Sequence, residues 1–315
     1  MAVAFVFPGQ GSQSVGMGNA LAANFALARR VFDEVDDALG AKLSALIFEG
    51  PIETLTLTEN AQPALMAVSL ATMRVLEAEA GLDLKRDAQF VAGHSLGEYS
   101  ALAAAGSFTI ADAARLLRIR GQAMQKAVPV GVGAMAALIG LEIDVASAVA
   151  AEAGQGQVCQ AGNDNGAGQV VVSGDKAAVE RAVEIAKSKG AKRAMLLTVS
   201  APFHCSLMQP AADAMAQALA GVTVKPPVVP VVANVTVTPL SAPADIVAAL
   251  IAQITGTVRW RESVAFMAGA GVTQFYEVGA GKVLSGLIKR IAEGASAIAI
   301  NNPDDVAAFK ARRSF

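Results

Sequence analysis

The segment Gly93-His94-Ser95-Leu96-Gly97 sets a hydroxyl between small residues, after the apolar run Phe90–Ala92 and before a stretch rich in Ala and Leu. G-x-S-x-G between a strand and a helix is the pattern of a nucleophile elbow, in which the glycines let strand and helix approach closely around a sharp turn. The N-terminus of the following helix directs free N–H groups and a positive dipole end at the serine, which favours negative charge there. An incidental serine in a Gly-rich turn would carry the same letters, but the flanking strand and helix favour the nucleophile.

A serine hydroxyl is a poor nucleophile until a base takes its proton, and the chain has 2 histidines. His94 adjoins Ser95, so its side chain should point away, in a packing or loop-orienting role. His204, in Ser200-Ala201-Pro202-Phe203-His204-Cys205, is then the candidate base, with a hydrogen-bonded core histidine as the alternative. In α/β-hydrolase triads an acid lies between the serine and a histidine near the C-terminus. Here over a hundred residues follow His204, and the acids preceding it fall mainly in what reads as an inserted domain. That order favours a Ser-His dyad.

A helix predicted from Thr109 to Lys126 supplies a third group. Arg115, Arg118, Gln122, Gln125 and Lys126 share one face at about 100° per residue, and Ala113, Leu116, Leu117 and Met124 share the other. Arg120 falls inside the apolar stripe. A guanidinium directed inward is costly unless an anion meets it, and its planar fork suits a carboxylate. An internal Asp or Glu and a carboxylate carried by the substrate are equally good partners on helix geometry alone. In the first turn, Pro8-Gly9-Gln10-Gly11, the glycine spacing matches neither the dinucleotide fingerprint nor a P-loop. This loop can instead bring the Gln10 backbone N–H beside that of Leu96, forming an oxyanion hole; an ordinary tight turn is the alternative.

These groups need a scaffold. The run Ala2–Phe7 reads as a buried strand, followed by helical pieces over Val15–Phe48 and Ala61–Glu79, a strand at Phe90–Gly93 and a helix over Ser95–Ala105. Ser107 and Thr109 offer N-caps for the Arg120 helix. Strands alternating with helices predict a mostly parallel sheet covered on both faces. After Pro129-Val130-Gly131-Val132-Gly133 the pattern becomes strand 134–139, helix 143–153, strand 157–161, strand 169–173, helix 176–189 and strand 194–199. That β-α-β-β-α-β order is the ferredoxin-like unit. The expected division is therefore a discontinuous catalytic domain, residues 1–127 and 200–315, around an inserted domain, residues 128–199. Strands near 228–233, 274–278 and 297–300 would extend the larger sheet.

Composition narrows the classes. At 315 residues with 54% hydrophobic and 17% charged residues, the chain can bury a large core. Its apolar stretches are broken by polar residues and prolines, so no membrane helix is expected. The N-terminus has no basic n-region and its apolar run is too short for a signal peptide. The net charge of −2 argues against general nucleic-acid binding. Cys159 and Cys205 make neither a disulfide framework nor a metal cluster. A cytoplasmic α/β protein is the expectation.

Taken in order, FPGQGSQ, GHSLGEYSAL, LLRIRGQAMQ, GQVVVSG, SAPFH, AQITGTVRW and YEVGAGKVLSGL make the whole chain resemble the malonyl-CoA:acyl-carrier-protein transacylases of fatty-acid synthesis. The same fold serves as the acyltransferase domain of polyketide synthases. The resemblance implies an α/β-hydrolase-like large domain with a mostly parallel sheet and an inserted ferredoxin-like domain. It implies Ser95 as nucleophile, His204 as base, Gln10 and Leu96 as oxyanion-hole amides, and Arg120 on the malonyl carboxylate. Gln253 would hold the His204 imidazole through its backbone carbonyl, which accounts for the missing acid. Met124 would line the pocket, and Phe203 resembles the bulky wall that crowds out an α-methyl group, although the two residues before it, Ala201-Pro202, depart from the family's usual tetrapeptide. The substrates implied are malonyl-CoA and phosphopantetheinylated acyl carrier protein, with no metal or other cofactor, no nucleic acid, no membrane and a monomeric enzyme. Because carrier protein is acidic, Lys187, Lys189, Lys192 and Arg193 are candidates for its docking patch, with a solvated helix end as the alternative. A thioesterase or lipase on the same elbow, and a non-catalytic acyl-CoA or carrier-binding module, are the competing readings. The first lacks a triad acid and leaves Arg120 unexplained; the second need not keep both Ser95 and His204.

Overall fold

The strand β1 (Ala2–Phe7) sits inside a six-stranded sheet in a computed structural model that describes residues 2–313. Residues 1, 314 and 315, which the expected division includes, lie outside the described residues. The other strands are β2 (Phe90–Gly93), β3 (Gly133–Ile139), β4 (Cys159–Asp164), β5 (Gln169–Asp175), β6 (Arg193–Leu196), β7 (Val231–Val232), β8 (Pro239–Leu240), β9 (Val272–Val278) and β10 (Ser296–Ile300). The larger sheet runs β10-β9-β1-β2-β7-β8 and is parallel except for the β7–β8 pair. Strand period explains its two cores. Phe5, Phe7, Val91 and Val278 face one apolar cluster, while Ala4, Val6, Ala92 and Phe275 face the other. The helix Thr58–Ala80 is buried around most of its circumference, as a helix packed between other elements must be.

The second sheet is antiparallel in the order β4-β5-β3-β6, the order of a ferredoxin-like unit. Ala136, Leu138, Val170 and Val172 pack under the helices Ile143–Gly154 and Lys176–Ser188. Their alternates Met135 and Val171 point the other way and line a cavity against the larger sheet.

Some expected boundaries move. The helix after Ser95 starts at Gly97, because Ser95 itself adopts φ 53°. The strand expected over 157–161 forms at Cys159–Asp164. The strand expected over 194–199 ends at Leu196, and residues 197–199 line the cavity. The strand expected over 228–233 contracts to Val231–Val232, since Pro226, Pro227 and Pro230 cannot donate ladder hydrogen bonds. Its antiparallel partner β8 had no clear signal, being a two-residue strand that begins at Pro239.

Candidate active site

Ser95 stands at the tip between β2 and the helix Gly97–Ala104, with a left-handed backbone that a residue with Cβ rarely adopts. The glycines make that turn possible. A Cβ on Gly93 would lie 1.9 Å from the Gly97 carbonyl, and one on Gly97 would lie 2.2 Å from the Phe7 carbonyl oxygen. Strand, turn and β1 therefore touch backbone to backbone. Asn234 Oδ1 accepts from the Ser95 N–H at 2.8 Å while its Nδ2 donates to the Gly93 carbonyl at 2.7 Å, holding the strained turn from outside.

His204 reaches this serine. The chain re-enters the larger sheet in a loop where His204 takes φ 60°, another costly backbone state of the kind that collects at functional sites. Its Nε2 is 2.8 Å from Ser95 Oγ, and its Nδ1 is 2.8 Å from the backbone oxygen of Gln253. A carbonyl can only accept, so Nδ1 carries the proton and Nε2 is free to accept from the serine hydroxyl. Burial, and then the positive charge of Arg120, push the His204 pKa down to about 3, so the imidazole is neutral at ordinary pH.

Arg120 is buried, on the inner face of the helix Ile110–Ala127, whose N-cap is Thr109 as expected from the sequence. It donates to Gln62 Oε1 at 2.7 Å, Gln253 Oε1 at 2.9 Å and Ser95 Oγ at 3.0 Å, and its guanidinium lies 5.7 Å from the Tyr99 ring centroid. All of its hydrogen-bond partners are uncharged. Its Nε has no hydrogen-bond partner among the described residues. An internal ion pair, one of the two partners open at the sequence level, is therefore not what holds it.

Gln10 and Leu96 both line the cavity beside Ser95. Neither backbone N–H donates a hydrogen bond among the described residues. The Gln10 side chain is tied down by a chain of contacts: its Oε1 accepts from Thr58 Oγ1 at 2.9 Å, which accepts from Gln62 Nε2 at 2.9 Å. Gln62 in turn accepts from Arg120. Met124, 3.7 Å from Gln62 Nε2 through its sulfur, and Phe203 line the same cavity of about 360 Å³. His94 turns away from Ser95, with Nε2 2.8 Å from Asn165 Oδ1 and its ring 5.8 Å from that of Trp260. Burial lowers its pKa.

Sequence reasoning missed Gln62, Glu98 and Asn234. Glu98 is buried beneath the elbow, where its Oε2 accepts from Gln253 Nε2 at 2.9 Å and the Asn234 N–H at 3.0 Å. Burial raises its pKa to about 7. An acid in the first turn of a helix reads as a solvated partner of the helix dipole, which concealed it. Gln253 was expected only for its carbonyl, yet its side chain also joins Arg120 to Glu98. Of the four basic residues proposed as a patch, Lys187 pairs with Glu184 at 2.7 Å and Lys189 with Glu152 at 3.3 Å, which weakens the positive field there. Both cysteines are free and buried. No group of three or more His, Cys, Asp and Glu is disposed to hold a metal, and no helix is long and apolar enough to cross a membrane, among the described residues.

A strained strand-Ser-helix turn on a mostly parallel sheet, with a histidine on the serine hydroxyl, defines an α/β enzyme of the serine-elbow class. More narrowly, the chain belongs to the acyl transferase domain family, whose model matches residues 4–299. It is 49% identical over 300 residues to the malonyl CoA-acyl carrier protein transacylase of Salmonella typhimurium, covering 95% of this chain and 96% of that protein. It is similar to the crystal structure of acyl-carrier-protein-S-malonyltransferase from Bartonella henselae, with 55% identity, full coverage of both chains and a TM-score of 0.97. It is also similar to a malonyl-transacylase solved in complex with its type II PKS acyl-carrier protein, at 44% identity and a TM-score of 0.95, covering 99% of this chain and 100% of that one.

Proposed function

We propose that this enzyme moves a malonyl group from malonyl-CoA to the phosphopantetheine thiol of acyl carrier protein, through a malonyl-serine intermediate, and so supplies fatty-acid chain elongation. The observation that carries the reading is Arg120: a buried cation with only neutral partners, 3.0 Å from the serine oxygen, fits an acyl group that brings its own carboxylate. Ser95 attacks the thioester carbonyl while His204 Nε2 takes the hydroxyl proton. The Gln10 and Leu96 N–H groups stabilise the oxyanion. As the C–S bond breaks, His204 returns the proton to the departing CoA thiolate. The carrier thiol, deprotonated by the same histidine, then attacks the ester and releases Ser95. Gln253 steadies His204 through its carbonyl, and Met124 and Phe203 shape the wall around the malonyl methylene. In this reading no cofactor takes part, the enzyme works in the cytoplasm as a monomer, and residues 128–199 form a domain inserted into residues 1–127 and 200–315, with the open face of the small sheet roofing the pocket.

Intact-protein mass after exposure to malonyl-CoA tests the reading. A malonyl adduct absent from Ser95→Ala and discharged by carrier protein is expected. Discharge by water at a comparable rate would instead make the protein a hydrolase, and no adduct under any condition would make it a binding module.

A further inference from the structure

A guanidinium can take a carboxylate through two parallel bonds along either of two edges, Nη1 with Nη2 or Nε with Nη2. Nη2 belongs to both edges. Its two hydrogens are already committed, one to Gln253 Oε1 at 2.9 Å and one to Ser95 Oγ at 3.0 Å. A two-bond grip on a substrate carboxylate must therefore displace one of these partners. Gln253 is fully buried, and its Nε2 is pinned by Glu98 Oε2 and by the Ser95 carbonyl at 3.0 Å. Ser95 is partly exposed on the cavity. The serine oxygen is the partner that yields.

Resting on the reading of Arg120 as the carboxylate clamp, we propose that Arg120 is also a gate on the nucleophile, restraining Ser95 Oγ until a carboxylate claims Nη2. Selectivity for carboxylate-bearing acyl groups then lies in the rate of acylation as well as in binding. In the structure the hydroxyl gives its proton to His204 and spends one oxygen lone pair on Arg120. The same cation lowers the basicity of His204, second only to burial. The groups around His204 are Arg120, His94, the Gln253 and Gly256 backbone, Gly162 from β4 and the adjoining Cys205, with Glu98 one hydrogen bond further off through the Gln253 side chain. Arg120 is the cation among them. A malonyl carboxylate on Nη2 frees the oxygen and balances that charge together. Acylation then proceeds: the Oγ–C bond forms, the Oγ proton passes to Nε2, the C–S electron pair goes to sulfur, and the Nε2 proton follows it to give CoA thiol and the acyl-serine.

Acetyl-CoA, which lacks the carboxylate, is the probe, and Arg120→Met is the variant. A charge-assisted hydrogen bond held on the nucleophile corresponds to about ten- to hundredfold in rate. Rapid-quench mass measurement is expected to show Arg120→Met acetylating Ser95 about tenfold or more faster than the unmodified enzyme. The acid limb of that rate should move up from about 3 toward the ordinary histidine range, because removing the cation lets His204 hold its proton at higher pH. Acetylation no faster than in the unmodified enzyme, with the limb unmoved, overturns the gate. Arg120→Gln repeats the measurement should the Met variant melt early. The unmodified enzyme gives an independent reading: formate, small enough to sit on Arg120 beside an acetyl group, should accelerate acetylation, and inhibition or no effect counts against the gate. Malonyl preference retained in Arg120→Met would refute the clamp itself. Preference lost without any gain in acetylation would refute the gate alone.

Discussion

Gly121 follows Arg120 and is the point where its helix crosses the helix Thr58–Ala80. A Cβ there would lie 2.5 Å from Glu59 Cα, 2.7 Å from the Thr58 oxygen and 2.8 Å from Glu59 N. All three are backbone atoms, so no side chain can swing aside, and ordinary contact is reached only if the helices part by about 1 Å. Gly121→Ala sets two effects against each other. Alanine improves intrinsic helix propensity by about 1 kcal/mol. Overpacking a close contact costs about 1–3 kcal/mol, and relief by separation carries Arg120 away from Gln62, now 2.7 Å distant across the same interface. Overpacking should win. Thermal melts should show net destabilisation of up to about 2 kcal/mol. Acylation by malonyl-CoA should fall by up to about a hundredfold, the usual consequence of a 1 Å misplacement. A variant that melts at or above the parent temperature and keeps its malonyl rate would refute the argument.

Two further outcomes follow from the groups beneath the serine. The carboxyl of Glu98 has its pKa raised from 4.5 to about 7 by burial, so the folded state binds its proton more tightly than the unfolded chain. The stabilisation from that proton is complete below about 4.5 and lost as pH rises through about 7. Glu98→Gln keeps an acceptor for the Asn234 and Gln253 donors but cannot ionise. Denaturant melts across this window should show the variant gaining about 3 kcal/mol relative to the parent as pH rises; a constant difference would rule out titration of Glu98. His204→Ala should cost about 10²–10⁴ in acylation rate, as removal of a general base does. Gln253→Ala keeps its carbonyl on Nδ1 and should cost about tenfold, through the lost hydrogen bond to Arg120; equal losses would contradict that division of roles.

That Ser95, His204 and Arg120 come together was legible because such groups demand particular side chains. A small-Ser-small turn, one spare histidine and an arginine in an apolar helical stripe each break a local rule in a way that the sequence exposes. The groups that steady them obey local rules and so stay hidden. Glu98 sits where acids ordinarily favour a helix start, Gln62 lies in a long apolar helix with a second polar contact to satisfy it, and Asn234 follows a two-residue strand. Their importance comes from contacts spanning long stretches of chain, such as Glu98 to Gln253, which periodicity cannot report. The same holds for the fold. Strands with continuous apolar runs were readable, whereas β7 and β8 depend on proline placement and on the neighbour they pair with.

The histidine's rear support has a further consequence. In an acid-backed triad, one altered codon can remove the group that orients the base. Here that group is a peptide oxygen of Gln253, and every amino acid at that position carries one. Inheritance can change what surrounds this support, or shift the helix that presents it, but no single substitution deletes it. The orientation of His204 is thereby entrusted to the path of the main chain, which point mutation changes least readily.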